Sequence, residues 1–170
     1  MCLILFALNN HPKYKMILAA NRDEFFERPT LAADFWNENK NVLSGKDIIS
    51  GGTWLGTNRN GRFVAITNYR KSEVVHKNLL SRGNLSKLFL NGNESVRDFL
   101  DTLSDNKDDY DGFNLLLSDD GLNSIFHYSN VSNTTTKVKD GIHGLSNHLL
   151  DSHWPKVDWG RTRLKKILKK

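Results

Sequence analysis

The first residues constrain this chain more than any other stretch. After Met1, Cys2-Leu3-Ile4-Leu5-Phe6-Ala7-Leu8 is an unbroken apolar run. It is too short to cross a membrane and suits a strand buried on both faces. A polar segment, residues 9–13, separates it from a second run, Tyr14-Lys15-Met16-Ile17-Leu18-Ala19-Ala20. Two buried strands joined by a short polar turn read as an antiparallel hairpin. Such a hairpin returns the chain to its start, so Asn21-Arg22-Asp23-Glu24 falls beside Cys2, the only cysteine in the sequence. If Met1 is removed, a thiol and a free α-amine occupy one residue. That amine can take the proton from its own side chain.

A single cysteine excludes an internal disulfide framework and fits a reducing compartment. No cationic segment precedes the apolar start, so the sequence is read as having no signal peptide and no membrane span, and a cytoplasmic location is expected. The 170 residues fit one domain, residues 1–170, with enough chain for a real core. The net charge of +5 raises the question of nucleic acid, but residues 161–170 hold six basic residues and no acids. The remainder carries 18 Lys and Arg against 19 Asp and Glu. Nucleic-acid binders spread basic charge over a face of the domain, so nucleic acid is not an expected partner. Oligomeric state is left open.

Residues 25–46 lack a clean period and read as a long ordered loop with at most one short strand. Gly51-Gly52-Thr53-Trp54-Leu55-Gly56 follows. Gly56 is followed by Thr57-Asn58, which does not meet the Lys-Ser/Thr requirement of a phosphate loop. Glycines around a tryptophan let the backbone approach another surface or take positive φ. Trp54 is either a pocket wall or core. Asn60-Gly61 is a hairpin signal leading into 62–68, which ends on Asn68 with Tyr69 after it. Two helices are expected next. Residues 81–90 place Leu85, Leu88 and Phe89 on one face, and Ser95 caps a helix carrying Val96, Phe99, Leu100 and Leu103.

Strands are expected at 113–118 and 123–129, then a further pair at 134–138 and 142–146 around Lys139-Asp140-Gly141. A last helix begins near Pro155, with Leu164, Ile167 and Leu168 as its apolar stripe. The aspartates of 105–112 miss the calcium-loop spacing, and His143, His148 and His153, five apart, suit no zinc site. No metal and no cofactor are expected. Strands and helices in runs indicate an α+β fold of antiparallel sheet with helices stacked on it.

Taken together, Met1-Cys2-Leu3, Asn21-Arg22-Asp23-Glu24, Gly51-Gly52-Thr53-Trp54-Leu55-Gly56, Thr67-Asn68-Tyr69-Arg70, Ser81-Arg82-Gly83, Phe113-Asn114-Leu115-Leu116, Gly144-Leu145-Ser146-Asn147 and Trp154-Pro155-Lys156-Val157 occur in this order. The chain resembles the NRDE family, also called the transport and Golgi organisation protein 2 family, over residues 1 to about 160. That family is similar to the N-terminal-nucleophile hydrolases, so the resemblance implies an αββα sandwich of antiparallel sheets flanked by helices. Members of the family run longer, and strands found after the Trp-Pro-Lys segment in them are expected to be missing here.

The resemblance further implies a catalytic set. Cys2 matches the nucleophile, and Asp23 matches the aspartate that holds amine and thiol. Asn68 and Asn147 resemble the two asparagines that bind the tetrahedral oxyanion, and Arg22 is a looser match for the family's arginine. Asn21, Trp54 and Tyr69 are expected at the substrate. An α-amine titrates at about 7.7–8.0, close to working pH for a general base. A neighbouring Arg22 favours the thiolate. Side-chain amides at a developing oxyanion are each worth roughly 3–4 kcal/mol of barrier. The expected reaction is hydrolysis of a small-molecule amide through a thioester. The resemblance also implies an alternative, since eukaryotic members are linked to haem and lipid handling: a non-enzymatic protein holding an apolar ligand.

Overall fold

A computed structural model describes residues 2–70 and 79–169. Its ten strands form two antiparallel sheets. The smaller has β1 (Leu3–Leu8) at its centre, between β2 (Met16–Asn21) and β10 (Gly141–Leu145). The larger runs in chain order through β3 (Thr30–Phe35), β4 (Val42–Asp47), β5 (Leu55–Asn58), β6 (Phe63–Asn68), β7 (Phe113–Ser118), β8 (Phe126–Ser129) and β9 (Thr134–Lys137).

The period of two along each strand divides the side chains between two cores. Ile4, Phe6 and Leu8 of β1 face Phe63 and Ala65 of β6 and Leu116 of β7, filling the space between the sheets. The alternate residues Val64, Ile66, Leu115 and Leu117 face outward onto α1 (Gly83–Asn91) and α2 (Val96–Asp105). On the other side of β1, Leu5 lies under α3 (Pro155–Ile167), where a Cβ on Gly160 would come within 2.6 Å of it. The layers therefore run α3, small sheet, large sheet, α1 with α2. This is the expected αββα order.

Several local expectations hold. The β1–β2 hairpin forms in the register Leu3 opposite Asn21. Ser95 caps α2 by accepting from the Asp98 amide at 3.1 Å, and Val96, Phe99, Leu100 and Leu103 are all buried. Replacing Ser95 with alanine is expected to cost about 1 kcal/mol, read as a lower urea midpoint at unchanged slope.

Others need correction. Residues 25–46 hold more than a loop with one short strand: β3 lies within them and pairs antiparallel with β4, which begins at Val42 and ends at Asp47. β3 is an edge strand exposed along most of its length, so no buried face imposes a period on its sequence. β2 is likewise an edge strand, and its residues Ala19, Ala20 and Asn21 are exposed rather than buried. The pair at 134–146 does not form. β9 joins β8 in the large sheet while β10 joins β1 in the small one, and Val138 is buried between the sheets as the chain crosses. In α1 the buried residues include Leu85, Phe89 and Leu90, whereas Leu88 is exposed. In α3 they are Val157, Gly160 and Leu164, with Ile167 exposed.

Candidate active site

One end of the sandwich gathers the start of β1 and the ends of β2, β6 and β10. Because Leu3 pairs with Asn21 and Ile4 with Leu145, Cys2 sits between residues 22–23 and 146–147. Buried hydrogen bonds fasten this end. The Ser146 hydroxyl donates to the Cys2 carbonyl at 2.6 Å, and the Thr67 hydroxyl donates to the Ser146 carbonyl at 2.7 Å. Asn147 donates its side-chain amide to the Asn68 carbonyl at 3.0 Å. The fully buried Asn114 donates to the Thr67 hydroxyl and to the His148 carbonyl, and its Oδ1 accepts from His127 Nε2 at 3.1 Å. Sequence reasoning missed Thr67, Ser146 and Asn114. The signal was a polar residue set inside an apolar strand, as in Phe113-Asn114-Leu115.

A cavity of about 650 Å³ opens here. Cys2, Arg22, Asp23, Trp54 and Asn68 are among its walls. Cys2 is only 9% exposed, whereas Asn68 at the strand end is exposed. Three other expected residues lie elsewhere. Asn21 stands behind Asp23 and donates to its carboxylate at 2.7 Å. Asn147 is buried and supports Asn68 from beneath. Tyr69 packs on the His148 ring, centroids 5.0 Å apart.

The glycines of 51–56 serve the purposes expected of them. Gly51 takes φ +67°, and a Cβ on Gly52 would meet the Gly83 backbone at 2.5 Å. This close approach lays the Trp54 segment against the start of α1 and brings Arg82 into the cavity wall.

The electrostatics differ from expectation at Arg22. Its guanidinium is bound to Asp47 at 3.0 Å and to Glu24 at 3.2 Å, so its charge is spent on two carboxylates. Asp47 also binds Arg28 at 2.6 Å and accepts from the Ile49 and Ser50 amides at 3.0 Å. Burial pushes the Asp47 carboxyl up, but Arg28 and the Ser50 amide more than offset it and leave it at about 2. Burial draws Arg82 and Lys156 below their ordinary values, and the charge of Asp111 partly restores the first and that of Asp23 the second. Asp23 is held below the usual carboxylate range, with the hydrogen bond from Asn21 and the charge of Lys156 contributing.

The three histidines have separate partners: His143 with Asp151, His148 with Ser152 and His153 with Asp158. Among the described residues no group of His, Cys, Asp and Glu is arranged to hold a metal ion, and no helix is long and apolar enough to cross a membrane.

The family model for Transport and Golgi organisation 2 matches residues 1–170. The chain belongs to this family. Its similar relatives include the Transport and Golgi organization protein 2 homologs of Bos taurus, 39% identical, and of Homo sapiens, 37% identical, each over 95% of this chain. The Drosophila melanogaster Transport and Golgi organization protein 2 is 30% identical over 99% of the chain. The chain spans 62% of the length of the cattle and human relatives and 65% of the fly protein. A solved structure of penicillin V acylase from Agrobacterium tumefaciens is similar over 86% of this chain and 52% of that one, at 11% identity and a TM-score of 0.45. The four-layer order of this family member stands on its own sheet and helix packing.

Proposed function

We propose that the chain is an N-terminal cysteine amidohydrolase that cleaves a C–N bond of a small-molecule amide through a thioester. The observation that carries this reading is that Cys2, Asp23 and Asn68 share the walls of one cavity. The chemistry begins with loss of Met1, a residue outside the described ones. The freed Cys2 amine, held by Asp23, takes the thiol proton, and the sulfur attacks the amide carbon. The oxyanion develops beside the Asn68 amide. The C–N bond breaks as the amine returns its proton to the leaving nitrogen, and a C–S bond remains. Water then adds to the thioester carbon, giving the acid and restoring the thiol.

Intact mass tests the reading directly. The purified native protein, not blocked at its terminus, is expected to lack Met1 and to label at Cys2 with iodoacetamide near neutral pH. Quantitative retention of Met1 would overturn it.

The exposed Phe25, Phe26 and Leu31 at the rim of the same cavity support a second reading, the capture of an apolar ligand such as haem or a lipid without chemistry. Ligand binding that survives Cys2→Ser unchanged, with Met1 retained, would favour it.

A further inference from the structure

Four of the cavity's walls are cationic, and three of them are already neutralised. Arg22 and Arg28 share Asp47 and Glu24. Lys46 is paired with Glu38 and lies over the Trp36 ring. Arg82 differs. Its Nη1 donates to the Gly112 carbonyl at 3.0 Å, and the Asp111 carboxylate is 3.6 Å away on a side chain that is itself 58% exposed. The acids of the cavity are engaged as well: Asp47 and Glu24 by the arginines, and Asp23 by Asn21.

Arg82 is therefore the wall cation whose charge is least compensated among the described residues. A guanidinium offers five N–H donors in a planar fork, and one accounts for the Gly112 bond. The fork matches a carboxylate or phosphate in two parallel hydrogen bonds, which a single ammonium cannot reproduce. Arg82 also immediately precedes α1, whose first turn carries no acid to cancel its positive end. The Trp54 side of the cavity, with Leu55 and Ile66, supplies an apolar surface beside this charge.

We infer that the substrate carries an anionic group, a carboxylate or a phosphate, which docks on Arg82 while an apolar portion lies against Trp54. The inference rests on the reading of this cavity as the Cys2 active site and names the substrate class it takes. Arg82 is a specificity residue: it discriminates charged from uncharged ligands and takes no part in bond making.

The test uses ligands alike in shape and different in charge. Binding of hexanoate, hexyl phosphate and hexanamide to the full chain is followed by tryptophan fluorescence. Hexanoate or hexyl phosphate is expected to bind about tenfold or more tighter than hexanamide, since charge-assisted hydrogen bonds are the strong ones. Whichever anion gains more identifies the group. Arg82→Met is expected to abolish the difference and Arg82→Lys to keep part of it. Equal affinities in the unsubstituted protein overturn the inference without recourse to any variant. So does a preference that Arg82→Met leaves intact.

The two readings fail separately. If Met1 is retained and Cys2 does not label but hexanoate is still preferred, the hydrolase reading fails and the anion site stands. If Met1 is lost and Cys2 labels while hexanoate and hexanamide bind alike, the reverse holds.

Discussion

Replacing Cys2 with alanine is expected to lower amide hydrolysis by on the order of 10⁴-fold or more, with little change in unfolding. Removal of a sole nucleophile forfeits the covalent route and leaves only binding and oxyanion contacts, which explains the size of the loss. The structure gives reason to expect the variant to fold. The bond from Ser146 reaches the Cys2 carbonyl, not its sulfur, so the main chain at the start of β1 keeps its anchor. The lost sulfur costs about 1 kcal/mol at most from a side chain at the edge of the core. Cys2→Ser keeps size and polarity but offers a far weaker nucleophile, so it is expected to bind ligand normally and to turn over poorly. The measurement is turnover of a panel of acyl 4-nitroanilides beside a urea titration. Hydrolysis that survives Cys2→Ala intact would remove Cys2 from the mechanism.

The features legible in the sequence were those set by local physics. The β1–β2 hairpin follows from two apolar runs around a polar turn, and α2 from one cap and one stripe. The sheet to which a strand belongs is not local. Lys139-Asp140-Gly141 correctly marks a break, and Gly141 takes φ +139° there, but a turn signal does not say whether the strands on either side pair with each other. Here they join different sheets, β9 pairing with β8 and β10 with β1, while Val138 between them is buried in the core between the sheets. β3 was illegible for the opposite reason: an exposed edge strand has no face to protect, so its sequence carries no alternation.

The candidate site divides in the same way. Cys2, Asp23 and Asn68 were legible through motifs lying at strand ends. The role given to Arg22 came from the resemblance and from the hairpin that returns it to Cys2, and neither reveals Asp47, 25 residues away, which holds that guanidinium. Arg82 in the cavity wall and Lys156, which reaches Asn147, lie 80 and 154 positions further along the chain than Cys2. Only the stacking of α1 and α3 against the two sheets brings them near.

Asp47 should matter nearly as much to stability as Cys2 does to chemistry. At the end of β4 it receives Arg22, Arg28 and two backbone amides, so one carboxylate pins residues 22–28 to the turn after β4. Its side chain is only 11% exposed, which keeps these contacts from being screened as surface pairs are. Removing one partner of such a cluster leaves two part-buried guanidinium groups sharing Glu24 alone. Asp47→Ala is therefore expected to cost about 3 kcal/mol in urea unfolding at pH 7. The pH dependence identifies the charge as the cause. The folded value of about 2 lies below the ordinary 3.8, so the stabilisation is complete above the ordinary value. It is lost as pH falls through about 2. Between those limits the unsubstituted protein is expected to lose about 2 kcal/mol from this group, and Asp47→Asn is expected to lack that component of the acid slope. Equal acid slopes in the two proteins would assign the cost of Asp47→Ala to packing rather than charge. Because residues 22–28 form one wall of the cavity, loosening them should also speed iodoacetamide labelling of Cys2. A variant that is destabilised while Cys2 labels at its original rate would mean that the arginine knot holds the fold but does not shape the site.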